Sequence, residues 1–211
     1  MTVLKRLLLL GGTGAVGHFA LRQALLDARI AQVVAPTRRP LPAHPKLENP
    51  VIDFTGIGEE TPWLQADAVL CALGTTLKLA GSKAAFTAID RDLPIRIAAL
   101  TRPAGATRFA LNSSTGAAPR GSFYLRTKYE AEAGIRALGY PIYTIVRPSI
   151  IDTERAIPRP AERLALLLMR ALRPLIPARY RAVKAERIAQ ALIAGVLRED
   201  EGERIVESEM L

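Results

Sequence analysis

Short apolar runs alternate along this chain with helix-length segments. That alternation is the pattern of βαβ units winding a parallel sheet. It predicts strands at Leu4–Leu10, Gln32–Pro36, Pro50–Phe54, Ala68–Leu73, Arg108–Asn112 and Ile142–Arg147. Between them it predicts helices at Val16–Ala28, Ala84–Leu100 and Leu125–Leu138. Continuous runs such as RLLLL and DAVLCAL suit strands buried on both faces. Pro94 should kink or reset the second helix, and Pro40, Pro42 and Pro45 mark an irregular loop. Beyond Pro148 the alternation gives way to helical segments at Ala161–Leu172 and Lys184–Leu197, then a short strand at Arg204–Glu207. No repeat, low-complexity tract or linker interrupts the chain. The expected architecture is an α/β, doubly wound, mostly parallel sheet in one domain over residues 1–211, with residues 148–211 as a small substrate-side extension.

A length of 211 residues suits one domain with a sizeable core. Hydrophobic residues at 49% and charged residues at 23% are ordinary globular values. With aromatics at only 5%, the core must rest on Leu, Ile, Val and Ala. Cys71 is the single cysteine, so no internal disulfide forms, and with only His18 and His44 besides, no metal site is expected. A lone thiol suits a reducing compartment. The opening MTVLKRLLLLGGTG has the outline of a signal peptide, but glycines interrupt the apolar run after four leucines. No segment approaches the roughly 18 apolar residues that span a bilayer. A cytoplasmic protein without a membrane span is expected.

Net charge alters the picture only in part. The formal charge is +9, and from Arg147 to Arg187 ten Lys/Arg stand against four Asp/Glu. This stretch carries one aromatic, Tyr180, and no nucleic-acid motif, so no nucleic-acid partner is expected. A solvated basic face is the plain reading; a pocket for a phosphorylated or carboxylated ligand is the alternative.

The first predicted strand runs straight into Gly11-Gly12-Thr13-Gly14-Ala15-Val16-Gly17 and then a helix. A nucleotide pyrophosphate needs close approach to bare backbone and amides at a helix N-terminus. Gly11 suits the tight turn, Gly14 the close approach and Gly17 the packing of helix on strand. The spacing is G-x-x-G-x-x-G, and its place at the first strand–helix junction is the context that supports such a motif. After the second strand the chain reads Ala35-Pro36-Thr37-Arg38-Arg39 with no acid in reach. An acid there favours NAD, whereas a guanidinium holds the 2′-phosphate of NADP by paired hydrogen bonds. NADP(H) is the cofactor expected.

After Phe109-Ala110-Leu111-Asn112 come Ser113 and Ser114, and ten residues beyond Ser114 lies Tyr124-Leu125-Arg126-Thr127-Lys128. Residues four apart share a helix face, so Tyr124 and Lys128 point into one site. A tyrosine is ordinarily a weak acid and a poor base at neutral pH; a nearby ammonium favours its phenolate. Ser113 or Ser114, with Ser114 preferred, would hold the substrate oxygen while Tyr124 moves the proton. Asp90 and Asp92 read as a solvated helix face, Cys71 as a buried structural thiol, and His18 as solvated or capping. Trp63 reads as packing.

The GxxGxxG turn, Cys71-Ala72-Leu73-Gly74-Thr75-Thr76, Ala80-Gly81-Ser82, Ser113-Ser114, Tyr124-Leu125-Arg126-Thr127-Lys128 and Val146-Arg147-Pro148 together resemble the atypical short-chain dehydrogenases. More narrowly they resemble the Tat-interacting oxidoreductase family, from about Leu8 to about Arg173. The resemblance implies a Rossmann-type fold with NADPH across the strand ends. It implies that Thr13, Gly14, Ala15 and Val16 contact the pyrophosphate, Arg38 and Arg39 the 2′-phosphate, and Leu73 and Gly74 the cofactor at the fourth strand. Tyr124 and Lys128 would be the proton donor and its partner, and Ile151 and Arg159 would close over the cofactor. Thr13 and Ala15-Val16 depart from the more polar residues the family often carries in this turn. The C-terminal forty residues match least, so the substrate is not carried over. A small carbonyl or alcohol, possibly anionic, is expected, and the oligomeric state, monomer or homodimer, stays open. The rival reading is an NADP(H)-sensing regulatory protein with little turnover; a weaker third is a basic protein binding nucleic acid or anionic lipid.

Overall fold

A computed structural model describes residues 3–54, 56–58, 60–152 and 177–211. The first half of the described chain runs β1 (Leu4–Leu10), α1 (Gly17–Leu26), β2 (Ile30–Val34), β3 (Leu47–Glu48) and β4 (Ala68–Cys71). Short helices α2 (Leu77–Ala80) and α3 (Lys83–Thr87) then lead into α4 (Leu93–Thr101) and β5 (Arg108–Asn112). The remainder is α5 (Phe123–Arg136), β6 (Ile142–Arg147), β7 (Ile151–Asp152), β8 (Val183–Lys184), α6 (Ala185–Leu197) and β9 (Gly202–Glu207). The helix expected at Ala161–Leu172 lies outside the described residues.

Seven strands form one sheet in the order β3-β2-β1-β4-β5-β6-β9, and every pairing in it is parallel. Strands β7 and β8 pair separately, Ile151 opposite Val183. The sheet reverses direction of growth at β1, so the helices that follow β1 and β4 pack on opposite faces beyond the paired C-terminal ends of these two strands, the place where open α/β sheets bind ligands.

Alternation along the buried strands explains their unbroken apolar runs. Leu7 and Leu9 of β1, Leu70, Ala110 and Val146 face one way, against Ala20 and Ala24 of α1 and Ile188, Leu192 and Val196 of α6. Leu8 and Leu10, Val69, Cys71, Phe109 and Ile145 face the other, against Ile97 of α4, Ile135 of α5 and Trp63. Both faces are therefore covered, and each fully buried leucine contributes about 1.5–3 kcal/mol.

Three expectations need correction. The third strand is not Pro50–Phe54. Pairing with β2 begins earlier, at Leu47–Glu48, and beyond it only an isolated bridge joins Thr37 to Val51. Pro50 accepts from the Thr37 amide but has no N–H to donate, so a regular ladder cannot run through it, which an edge strand tolerates. Strand β2 starts and stops two residues before Gln32–Pro36. The single helix expected at Ala84–Leu100 is α3 and α4 joined through a π turn, Ala88–Asp92, in which the Leu93 amide reaches back to Ala88. Pro94 cannot donate to the carbonyl four residues back, so the reset at Pro94 takes this form.

Candidate active site

The loop after β1 is shaped by glycines that leave no room for side chains. Gly11 has φ +81°, and a Cβ there would lie 2.7 Å from the Ala72 carbonyl oxygen on β4's continuation. A Cβ on Gly17 would lie 1.9 Å from the Gly11 carbonyl oxygen, so the start of α1 rests directly on the turn. The Gly14 amide closes the turn by donating to Gly11 at 2.8 Å. No side chain caps α1, and its first turn holds no acid, so its N-terminal amides keep their positive end toward the loop. Thr13, Gly14 and Ala15 are exposed on that loop, while Val16 turns into the core at 3% exposure. The backbone of Val16 belongs to the cradle; its side chain belongs to the packing. His18 is exposed, its Nδ1 3.1 Å from the Gly14 carbonyl oxygen, a capping contact.

Arg38 and Arg39 follow β2 and are exposed, and neither guanidinium has a partner among the described residues. Their loop is nevertheless held. The Thr37 hydroxyl donates to the Arg39 carbonyl at 2.6 Å. Asn49 donates to the Ala35 carbonyl at 2.5 Å and to Thr37 Oγ1 at 2.8 Å, and accepts from the Leu41 amide at 2.8 Å. Asn49 was not among the expected site residues; its place directly before Pro50, at the end of the loop that holds Pro40, Pro42 and Pro45, was the available signal.

Strand β4 ends at Cys71, and the next residues, Leu73 (half-buried) and Gly74 (exposed), continue over the sheet edge. Burial pushes the Cys71 thiol up to about 12, so it is an inert core residue. Thr76 and Ser82 cap α2 and α3 through the Leu79 and Ala85 amides.

Helix α5 carries the proposed proton machinery. Ser122 caps it by accepting from the Leu125 amide. Tyr124, half-buried, packs its ring 5.6 Å from that of Phe86. One turn on, Lys128 is only 5% exposed, and its Nζ lies 2.6 Å from Asp90 Oδ1. Asp90 is 2% exposed, contrary to the expectation of a solvated face; only Asp92 is exposed. The reason is the helix stripe: Asp90 stands four residues after buried Phe86 and seven before buried Ile97, and the π turn aims it inward. Its other oxygen accepts from the Thr75 amide at 2.9 Å.

Ser113 and Ser114 separate clearly. Ser113 is buried, and its hydroxyl donates to Glu132 Oε1 at 2.5 Å. Ser114 is half-buried, and among the described residues its hydroxyl makes only a 3.5 Å contact, to the Thr115 carbonyl. Glu132, fully buried on the Tyr124–Lys128 face of α5, also takes both arms of Arg147 at 2.6 and 3.0 Å. Arg147 reaches on to Glu207 at 3.0 Å, and the Glu132 carboxylate beside it holds the guanidinium above its ordinary range. This buried chain ties β5, α5, β6 and β9 together behind Ser114.

Ile151 lies on β7, packed against the core on the α1 side. Its neighbour Asp152 lines a cavity of about 350 Å³ with Ala15, His18, Phe19 and Lys184, which brings this short strand to the glycine turn. Arg159 lies outside the described residues. No cluster of His, Cys, Asp and Glu among the described residues could hold a metal ion, and no helix there is long and apolar enough to cross a membrane.

Residues 11–167 match the family described as NAD(P)H-binding. Protein HTATIP2 of Rattus norvegicus is 34% identical over 167 residues, which cover 76% of this chain and 69% of that protein. Protein fmp52, mitochondrial, of Emericella nidulans is 31% identical over 173 residues, 78% of this chain and 74% of that one. Among solved structures, the Bordetella bronchiseptica enzyme WbmG in complex with NAD superposes with a TM-score of 0.69 at 14% identity, over 99% of this chain and 74% of its own. MoeE5 in complex with UDP-glucuronic acid and NAD gives 0.72 at 18%, over 95% and 75%. At these identities the structural likeness speaks for the fold alone.

Proposed function

This chain belongs to the NAD(P)H-binding family of atypical short-chain dehydrogenases/reductases, and from that premise we propose that it is an NADP(H)-dependent oxidoreductase acting on a small carbonyl or alcohol. The observation that carries the reading is the pairing, across one sheet edge, of the bare Gly11–Gly17 cradle with Lys128 held beside Gly74. The glycine contacts supply the fit: Gly11 and Gly17 let backbone pack on backbone, which sets the N-terminal end of α1 behind exposed Gly14, where a pyrophosphate would approach. Thr13, Gly14 and Ala15 would hold the pyrophosphate, with the Val16 and Gly17 amides behind them. Arg38 and Arg39, free among the described residues, would take the 2′-phosphate. Leu73, Gly74 and Ile151 would flank the cofactor, and Arg159 is proposed from the family resemblance.

When bound, the cofactor supplies or accepts the hydride. In the reductive direction Tyr124 gives its phenolic proton to the substrate oxygen as the carbonyl carbon is reduced; in the oxidative direction it takes that proton back. Ser114, whose hydroxyl is the less committed of the two, orients the substrate oxygen. Ser113 supports the strand end through Glu132 rather than reaching the substrate. Lys128, on the same helix face as Tyr124, orients the cofactor ribose. Leu77, Lys78, Leu79 and Lys83, exposed on the segment that follows Gly74, would border the substrate, which suits a small, partly apolar, anionic molecule. The proposal includes a cytoplasmic location, which cell fractionation tests against the mitochondrial location in the name of the Emericella nidulans relative.

Calorimetric titration with NADPH and, separately, NADH tests the central claim. Tight NADPH binding with much weaker NADH binding is expected; equal affinities would sink the arginine assignment, and failure of both to bind would sink the enzyme.

A further inference from the structure

A lysine that activates a tyrosine is usually reasoned about as a bare cation, yet Lys128 has a buried anion of its own. Asp90 Oδ1 lies 2.6 Å from Nζ, and the two side chains are 0% and 7% exposed. Burying such a pair costs desolvation comparable to its attraction, so packing alone would be served as well by two apolar residues. The pair also sits at a functional edge. A Cβ on Gly74 would stand 3.6 Å from both Asp90 Oδ1 and Lys128 Nζ, so the absent side chain leaves the pair facing the end of β4. The Thr75 amide fixes the second carboxylate oxygen at 2.9 Å, joining the β4 loop to the pair. Asp90 reaches this place from a π turn, a rare backbone form found frequently at functional sites. The neighbouring charges are occupied elsewhere: Arg91 pairs with Asp92 at 2.7 Å and with Glu130 at 2.8 Å.

Resting on the reading of this edge as a nicotinamide site, we propose that Asp90 is a positioning residue that holds the Lys128 ammonium beside Gly74 and cancels its charge there, so that the cofactor's oxidised, cationic ring is not penalised relative to its reduced, neutral ring. Without Asp90 the ammonium keeps its reach but stands uncompensated beside a ring that is positive in one redox state and neutral in the other. Without Lys128 the carboxylate alone would favour the cationic ring. The two substitutions therefore act in opposite directions, and removing both restores the balance.

The test measures dissociation constants of NADP+ and NADPH, at one pH and ionic strength, for the full chain and for Asp90→Asn, Lys128→Met and the double variant, each checked for cooperative melting. Asp90→Asn should raise the ratio Kd(NADP+)/Kd(NADPH) roughly three- to tenfold, the scale of one unit charge at several ångströms in a half-wet cleft. Lys128→Met should lower the ratio, and the double variant should return within about twofold of the wild type. A purely structural role would weaken both redox forms together, so unchanged ratios in both single variants overturn the proposal. If Asp90→Asn does not fold, Lys128→Met decides alone: a ratio that fails to fall overturns it. If the wild type prefers NAD+ and NADH, the same ratio is read on that pair. If the wild type binds none of the four, the nicotinamide reading falls and this proposal with it, whereas binding with unmoved ratios removes only the role of Asp90.

Discussion

At the glycine turn after β1 the surface is backbone, with Gly11, Gly14 and Gly17 nested so closely that a Cβ on Gly17 would sit 1.9 Å from the Gly11 carbonyl oxygen. Around α5 the framework is buried charge: Asp90 under Lys128, and Glu132 under Ser113 and Arg147. The turn draws on seven consecutive residues, while the charged side draws on residues from Thr75 to Glu207. A backbone cradle fails when something is added to it. A buried charge network fails when one member is taken away, because the remaining charge then lacks its partner in a dry interior.

That contrast orders the expected effects of substitution. The largest belongs to the charged side: Glu132→Ala leaves Arg147 and Ser113 without their main acceptor and should cost about 3–5 kcal/mol, read from urea unfolding. Removing both charges, as Glu132→Gln with Arg147→Met, should recover part of that loss; a cost below about 1 kcal/mol for the single variant would break the comparison. Gly17→Ala should cost about 3 kcal/mol by forcing α1 off the turn, and should weaken cofactor binding together with stability. A well-folded Gly17→Ala that binds NADPH normally would show that the turn is less tightly built than its contacts indicate.

Smaller effects sharpen the picture. Arg38→Ala with Arg39→Ala should weaken NADPH binding by roughly ten- to a hundredfold and leave NADH within about twofold, since charge-assisted bonds to one phosphate are lost. Asn49→Ala should destabilise by about 1–2 kcal/mol and loosen NADPH binding only a fewfold, because it shapes the arginine loop without touching phosphate. Least disruptive is a labelling experiment at pH 8. With its thiol pushed up to about 12 by burial, Cys71 should resist alkylation until the chain unfolds. Rapid native labelling would mean that the β4 end beneath Gly74 opens.

Much of this molecule was legible without its structure. The spans of β1, β5 and β6 coincide with those expected, since strands buried on both faces carry near-continuous apolar runs. Helix α5 was readable too, though it begins and ends two residues before the expected Leu125–Leu138, which brings Tyr124 inside it. Less legible was the β2–β3 edge, where Pro50 interrupts the ladder and the pairing partner, rather than the run itself, sets the strand's bounds. Asp90 and Glu132 were misplaced or passed over because charged residues on amphipathic helices ordinarily face water. The stripes Phe86–Asp90–Ile97 and Lys128–Glu132–Ile135 place both on the buried side.

What this sequence determined by itself is therefore whatever depends on neighbours along the chain: the βα alternation, the glycine turn, and the shared helix face of Tyr124 and Lys128. Tertiary structure alone decided which charges are buried and with whom, that Ser113 is bound to Glu132 while Ser114 is not, and that Lys128 meets Asp90. The physical reason is that secondary structure follows periodicity within a few residues. The energy of a buried charge depends on a partner brought from 38 or 15 residues away, as Lys128 is to Asp90 and Arg147 to Glu132.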